Sequence, residues 1–424
     1  MSVSGSSVEV ATRWSWRDRG VLLLLSLAIL FDGMDNQVLG LVAPAILAEW
    51  QLDKSTFAPV LAVGQFGMMI GTLLGGLWGD RVGRKQVLLC CVFLFGAATL
   101  AMSFVGTVES LFLLRVVAGI GMGGALPNAA ALAAECTPPR YRVVAVTATI
   151  VCIPLGGVVG GALAAEILPA QGWRAMMQWA GVLPLVLLLV LWRGLPNDLP
   201  RDALSAAVSG EPISQIRALL SPDRRRDTLA LWCVFGFCLM AIYASFSWLP
   251  TMLVEAGRDI AEASRGLMYF NLGGVITALL AAGLMTRYGS RKPLALMAGL
   301  AAALSVVFLL GDFDGASTEL VLVLLALLGG CINGVQTTLY ALAAHLYPAP
   351  IRATGIGAAS SIGRLGGVSS AFFGAALLTA FGGAGFFVLL FVAMCVTLLA
   401  LLVLRNHIQR VPKKTNTRDL TSAG

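Results

Sequence analysis

The stretch Gly76-Leu77-Trp78-Gly79-Asp80-Arg81-Val82-Gly83-Arg84-Lys85 closes one long apolar run and opens the next. Two hundred and seven positions later, Gly283-Leu284-Met285-Thr286-Arg287-Tyr288-Gly289-Ser290-Arg291-Lys292 stands in the same setting. A second pair of loops repeats at an offset of 210: Glu135-Cys136-Thr137-Pro138-Pro139-Arg140-Tyr141-Arg142 and His345-Leu346-Tyr347-Pro348-Ala349-Pro350-Ile351-Arg352. Two loops recurring at nearly one offset mean that the chain is built twice from one unit, in parallel orientation.

Composition says what the unit is made of. Of 424 residues, 58% are hydrophobic and 12% charged, with a mean hydropathy of +0.85. A soluble domain is roughly a quarter charged, so this chain lacks the polar surface to stay in water. Soluble enzyme, disordered chain and disulfide scaffold are excluded, and a polytopic helical membrane protein remains. Seven of the eight cysteines lie in or beside apolar runs and support no bridge framework.

Twelve apolar segments are each long enough to cross ~30 Å of hydrocarbon. They lie near 20–48, 57–79, 86–105, 110–131, 143–168 and 175–193, then 229–251, 265–285, 293–311, 319–343, 354–380 and 384–404. Backbone in lipid must satisfy its own hydrogen bonds, which predicts helices, and the alternating ten-residue strands of a barrel are absent. The expected organisation is an N-terminal segment (1–19), a six-helix bundle (20–194), a central loop (195–228), a second bundle (229–404) and a tail (405–424). With a cytoplasmic N-terminus, 23 Lys and Arg fall on the cytoplasmic side and four, Lys54, Arg174, Arg258 and Arg265, outside. That asymmetry places both termini in the cytoplasm and turns the net charge of +7 into a topology signal rather than a nucleic-acid patch. The first apolar run is too long for a cleavable signal peptide.

Four ionisable residues fall well inside spans: Asp32, Asp35, Arg115 and Arg364. Each costs ~2.5–3.5 kcal/mol at a helix centre, so each needs a partner, water or a function. Asp32 lies ~18 Å and Asp35 ~22 Å into the first segment, and their i,i+3 spacing puts them on one face. Arg115 enters from the other side to about the depth of Asp35, which suggests an Asp35–Arg115 pair. Asp32, a second acid beside an ionised one in low dielectric, is then the candidate proton carrier; the alternative is that both are buried structural hydrogen-bonders. Arg364 lies ~15 Å into the eleventh segment, in the opposite half, and its planar fork suits a carboxylate. Its alternative is a fixed interhelical pair.

Uncharged candidates for a binding site are Asn128, Asn271, Asn333, Gln336 and Gln65 for hydrogen bonding, and Tyr243, Trp248, Tyr269, Phe270 and Tyr340 for ring stacking. Packing and helix gluing are the alternative for every one of them. Gly71, Gly75 and Gly79 at spacing four read as close helix packing. Asp80 suits a latch on the N-terminus of the eleventh segment near Thr354, with a local salt bridge to Arg81 or Arg84 as the alternative. Arg81, Arg84, Glu135, Arg142 and Arg352 complete the charged set at this face and are candidate gating residues. His345 and His407 have no metal-ligand spacing, and no cofactor or metal is expected.

The loop from Gly76 to Lys85 resembles the major facilitator signature G-x-x-x-D-R-x-G-R-[RK] at every fixed position. Arg115-Val116-Val117-Ala118-Gly119-Ile120-Gly121-Met122-Gly123 resembles that superfamily's second signature, and its glycines follow no strand, so they are no dinucleotide fingerprint. Phe31-Asp32-Gly33-Met34-Asp35 resembles the D-G-x-D signature of the aromatic acid:proton symporters. With Leu126-Pro127-Asn128 and Gly363-Arg364-Leu365-Gly366, the resemblance covers nearly the whole chain. It implies a twelve-helix transporter, not an enzyme, in a bacterial inner membrane, working as a monomer. It further implies proton-coupled uptake of small aromatic carboxylates such as hydroxybenzoates and protocatechuate, with roles for Asp32, Asp35, Asp80 and the membrane arginines. Two departures stand out. Arg287 replaces the acid of the second loop, and Ile153-Pro154-Leu155-Gly156-Gly157 lacks the pattern of drug/proton antiporters. A symporter for another organic anion or a sugar, or an efflux antiporter, are the rival readings.

Overall fold

In a computed structural model, residues 15–196, 218–311 and 317–409 are described. They form ten continuous helices: α1 (Trp16–Trp50), α2 (Lys54–Val82), α3 (Arg84–Met102), α4 (Val108–Glu135), α5 (Arg142–Gly194), α6 (Arg225–Glu255), α7 (Ile260–Tyr288), α8 (Arg291–Leu310), α9 (Thr318–Leu346) and α10 (Ala349–Val403). All ten are long and apolar enough to cross a membrane, so the chain is a multi-pass membrane protein. The expectation was twelve separate helices. The difference lies in α5 and α10, of 53 and 55 residues, each of which contains one non-helical residue. Gly172 sits at φ 78° and Gly382 at φ 59°, a backbone region only glycine adopts at little cost. A straight helix of such length would rise ~80 Å, more than twice the hydrocarbon core. Each glycine therefore divides its helix into two arms, 142–171 and 173–194 in α5, 349–381 and 383–403 in α10.

The two halves repeat in three dimensions. Thr107 caps α4 by accepting the Ser110 N–H at 3.3 Å, and Ser317, 210 positions on, caps α9 by accepting that of Leu320 at 3.4 Å. Arg142 donates to the Thr137 carbonyl at 3.4 Å and Arg352 to the Tyr347 carbonyl at 3.2 Å, again 210 apart. These side chains satisfy backbone groups that a helix end leaves open.

Close helix packing is made by glycine. A Cβ on Gly71 of α2 would lie 2.0 Å from the Ile120 carbonyl oxygen of α4, and one on Gly273 of α7 would lie 1.8 Å from that of Ala326 on α9. The halves meet where α5 packs on α7, α1 on α6 and α2 on α10. Side-chain links between the halves lie toward the face away from Trp16. Gln37 and Asn271 exchange two amide hydrogen bonds at 3.2 and 2.7 Å, and Lys54 pairs with Glu255 at 2.6 Å. Gly40 comes so near α6 that a Cβ would lie 1.9 Å from the Phe246 oxygen.

Candidate functional site between the halves

A cavity of about 140 Å³ lies between the halves, on the Trp16 side of the Gln37–Asn271 pair. An apolar cavity of ~150 Å³ is known to hold a benzene molecule, so the volume suits one aromatic ring. Its walls are mostly apolar, with Met68, Met122, Leu126, Ile150 and Leu239 among them. Tyr243, Phe246 and Tyr340 add ring faces and edges. These rings are fixed by edge-on contacts: Tyr243 on Phe246 at 5.8 Å, Tyr340 on Phe235 at 5.4 Å.

The polar lining comes from both halves. Asp32 and Asn36 come from α1; Asn333, Gln336 and Thr337 from α9; Arg364 from α10. Asp32 is 4% exposed, and its Oδ1 has no hydrogen-bond partner among the described residues. The Nη1 of Arg364 and both amide atoms of Gln336 are likewise buried and unpartnered. Arg364 is within Coulombic reach of Asp32, so an acid from one half faces a cation from the other. Unpartnered buried polar groups are costly, and three of them converging on one ring-sized cavity leave donors and acceptors that a polar ligand could satisfy.

Asp35 has a different setting. Three residues of helix turn ~300°, about 60° short of a full turn. That offset carries Asp35 off the cavity and into the contact of α1 with α3 and α4. There Thr99 Oγ1 donates to its Oδ1 at 2.5 Å, and Arg115 Nη1 approaches Oδ2 at 3.7 Å. The latter is an ion contact, too long for a hydrogen bond. Arg115 also donates to the carbonyls of Asp35 and Asn36 at 3.3 Å each. It is 3% exposed and fits only because residue 64 is glycine: a Cβ there would lie 2.7 Å from the Arg115 Nε.

Five of the eleven sequence-chosen binding candidates line the cavity: Arg364, Asn333, Gln336, Tyr340 and Tyr243. The other six, Tyr269 among them, do not. The Asn128 amide donates to the Gly75 and Gly124 carbonyls at 3.0 and 2.8 Å and ties α2 to α4. Asn271 is held by Gln37 and by the Leu267 carbonyl. Their donors are engaged with protein, which is the gluing role open to any intramembrane amide. Trp248 donates to the Ala371 carbonyl at 3.1 Å and packs α6 on α10, and Phe270 is fully buried beneath Phe246. Gln65 donates to Asn36 at 3.4 Å, behind the lining.

Of the candidate gating residues, Arg84 pairs with Glu135 at 2.5 Å within the first half. Arg142 and Arg352 cap their own loops, and Arg81 is exposed. The side chain of Asp80 lies outside the described residues. Reading the sequence missed Thr99, Asn36 and Gln37. Thr99 carries no signal within its apolar run, whereas Asn36 and Gln37 directly follow Asp35 and were legible as polar residues in the same span.

Two repeated helical bundles around a central cavity with opposed charges define a membrane transporter rather than an enzyme. The family model described as "Major Facilitator Superfamily" matches residues 25–313 and 260–423. A gallate transporter of Pseudomonas putida is 35% identical over 385 residues, 85% of each chain. The 4-hydroxybenzoate transporter PcaK of Pseudomonas aeruginosa is 34% identical over 395 residues, 86% of each chain. Among solved structures, the inward-open xylose transporter XylE of E. coli superposes with a TM-score of 0.74 at 17% identity, covering 94% of this chain and 98% of the other. The chain belongs to the Major Facilitator Superfamily, in the branch of the aromatic acid:proton symporters.

Proposed function

We propose that this chain is a proton-coupled symporter that imports a small aromatic carboxylate, hydroxybenzoate- or protocatechuate-like, by alternating access. The observation that carries the reading is the ring-sized cavity in which unpartnered Asp32 and Arg364 face each other from opposite halves. The named substrates of the relatives, gallate and 4-hydroxybenzoate, are single rings bearing a carboxylate. In this reading Arg364 clamps the substrate carboxylate, Asp32 carries the proton, and Asp35 with Arg115 holds α1 in place. Asn333, Gln336, Tyr340 and Tyr243 line the ring.

The halves are taken as bundles of six spans each, twelve in all, because Gly172 and Gly382 divide α5 and α10. The basic loops support cytoplasmic termini, and the family resemblance supports a bacterial inner membrane. The cavity then opens toward the cytoplasm, with the Gln37–Asn271 side closed. Asp80, Arg81, Arg84, Glu135, Arg142 and Arg352 belong to the cytoplasmic gate, and the monomer is the working unit. A monoanion carried with one proton moves no net charge; each further proton adds ~2.3 kcal/mol per 100 mV of potential.

Counterflow in proteoliposomes with labelled aromatic acids tests this. Exchange of hydroxybenzoates, and their accumulation when an inward proton gradient is imposed, is the expected result. Counterflow of sugars or aliphatic acids with none of aromatic acids would end the proposal.

A further inference from the structure

Asp32 and Arg364 do not exhaust the polar groups facing the cavity. Asn333, Gln336, Thr337 and Tyr340 follow one another at i, i+3, i+4 and i+7, a single face of α9, and all four line it. Two of them are committed to the helix itself. The Asn333 amide donates to the Gly329 carbonyl at 2.9 Å, and the Thr337 hydroxyl donates to the Asn333 carbonyl at 2.9 Å. On α1, the Asn36 side-chain oxygen accepts from Gln65. Gln336 differs from all of these. It is 8% exposed, and neither its Nε2 nor its Oε1 has a partner among the described residues.

An amide offers one kind of atom that donates and another that accepts, and this holds whichever way it is flipped. The group that satisfies both must itself donate and accept. A carboxylate only accepts, so it would leave the Gln336 oxygen unpaired and repelled. An apolar ring edge satisfies neither atom. A phenolic hydroxyl donates its hydrogen to Oε1 and accepts from Nε2 through its lone pairs. With the acid and the guanidinium given to proton and carboxylate, the geometry points to Gln336 as the residue that reads a ring hydroxyl. It makes the preferred cargo a monocyclic acid carrying at least one phenolic hydroxyl, over the same acid without it. This rests on the symporter reading above and adds a specificity-determining residue to it.

A site built to hydrogen-bond a substrate hydroxyl rejects the analogue lacking it far more strongly than an apolar pocket rejects an added one, because its own polar atoms are then left unpaired. The test is competition binding to the purified full chain in detergent. The probes are benzoate, 3-hydroxybenzoate, 4-hydroxybenzoate and 3,4-dihydroxybenzoate, against wild type, Gln336→Leu and Gln336→Met. Wild type is expected to prefer at least one hydroxylated acid over benzoate by about tenfold or more. Both variants should lose that preference: affinity for the hydroxylated acid falls about tenfold or more while benzoate binds as in wild type, or tighter. Retained benzoate binding also shows that a variant is folded, which a purely structural role for Gln336 would not predict alongside a collapsed preference.

The inference is overturned if wild type does not discriminate, if discrimination survives in both variants, or if benzoate and its hydroxylated relatives weaken together in both. The last outcome makes Gln336 a packing residue. Wild type that binds no member of the panel removes the symporter reading itself, and is told apart from the other outcomes by that blank row.

Discussion

Asp32 and Asp35 stand three residues apart, yet one faces an open cavity and the other a filled one. Their substitutions should therefore fail differently. Asp32→Asn keeps shape and removes the titrating group, so accumulation against a gradient should vanish while exchange of labelled for unlabelled acid continues. Proton-driven accumulation by that variant would move the carrier elsewhere. Asp35→Asn instead leaves the 3%-exposed Arg115 without its counter-charge. Loss of one partner of a truly buried pair costs ~3–5 kcal/mol. The pair here is 3.7 Å apart, and Arg115 keeps two carbonyl contacts, so the low end of that range is expected. Arg115→Gln in the same chain should recover part of the melting temperature, and no recovery would mean that the two residues do not couple. Gly64 is bound to the same site. Gly64→Ala would place a methyl 2.7 Å from Arg115 Nε, and should lower thermal stability while Gly76→Ala, with open space around it, should not.

At the scale of elements, a short C-terminal strap is hydrogen-bonded to the starts of α6 and α8. After α10, Asp227 at the start of α6 accepts the Arg405 and Asn406 N–H groups at 3.0 and 3.3 Å. Ser290, before α8, exchanges hydrogen bonds with Ile408, accepting at 2.9 Å and donating its backbone N–H at 3.0 Å. His407 lies between, with Nδ1 3.2 Å from Ser290 Oγ and Nε2 3.2 Å from the Leu401 carbonyl. A neutral ring satisfies both, donating to Leu401 and accepting from Ser290. Burial first, and the nearby Arg291 charge after it, hold the His407 pKa below the usual histidine value, against the pull of the Leu401 carbonyl and Asp227. A group with a lowered folded pKa binds more protons when released. The docked strap thus has its full stability above about pH 6.5 and loses it as pH falls through the folded value. The protection factor of the Ile408 amide, its exchange measured against the intrinsic rate at each pH, should fall between pH 7.5 and 5.5, and the fall should be smaller in His407→Asn. Equal pH dependence in the two proteins would remove His407 as the cause. None of this was legible in the sequence, where His407 is an isolated histidine and the strap an unpatterned tail; it is set by contacts across 117 and 178 positions.

Across the whole molecule, the fold was legible because lipid leaves a helical chain few options and because the loops repeat. The site was legible where it costs most: a charge in an apolar run announces itself, as Asp32 and Arg364 do. It was obscure where an amide serves either a ligand or another helix, since Gln336 and Asn271 look alike in sequence and differ only in what folds against them. That difference has a mechanical consequence. Asn271 and Gln37, both fully buried, hold each other from opposite halves by two hydrogen bonds, just beyond the cavity. Gly157 leaves room for them, since a Cβ there would lie 2.2 Å from Gln37 Nε2. If the halves rock about the cavity, this pair breaks in every cycle together with Lys54–Glu255 at the outer rim. Removing it should favour the state open on that face. A cysteine in place of Tyr243, in a chain otherwise free of cysteine, should react with an impermeant maleimide added outside several-fold faster when Gln37→Ala or Asn271→Ala is also present. Either alanine leaves one buried amide unpaired, so the double variant should be more stable than the two single losses combined. Labelling from outside that stays unchanged in both single variants and the double would show that the amide pair only packs the halves and does not hold that side shut.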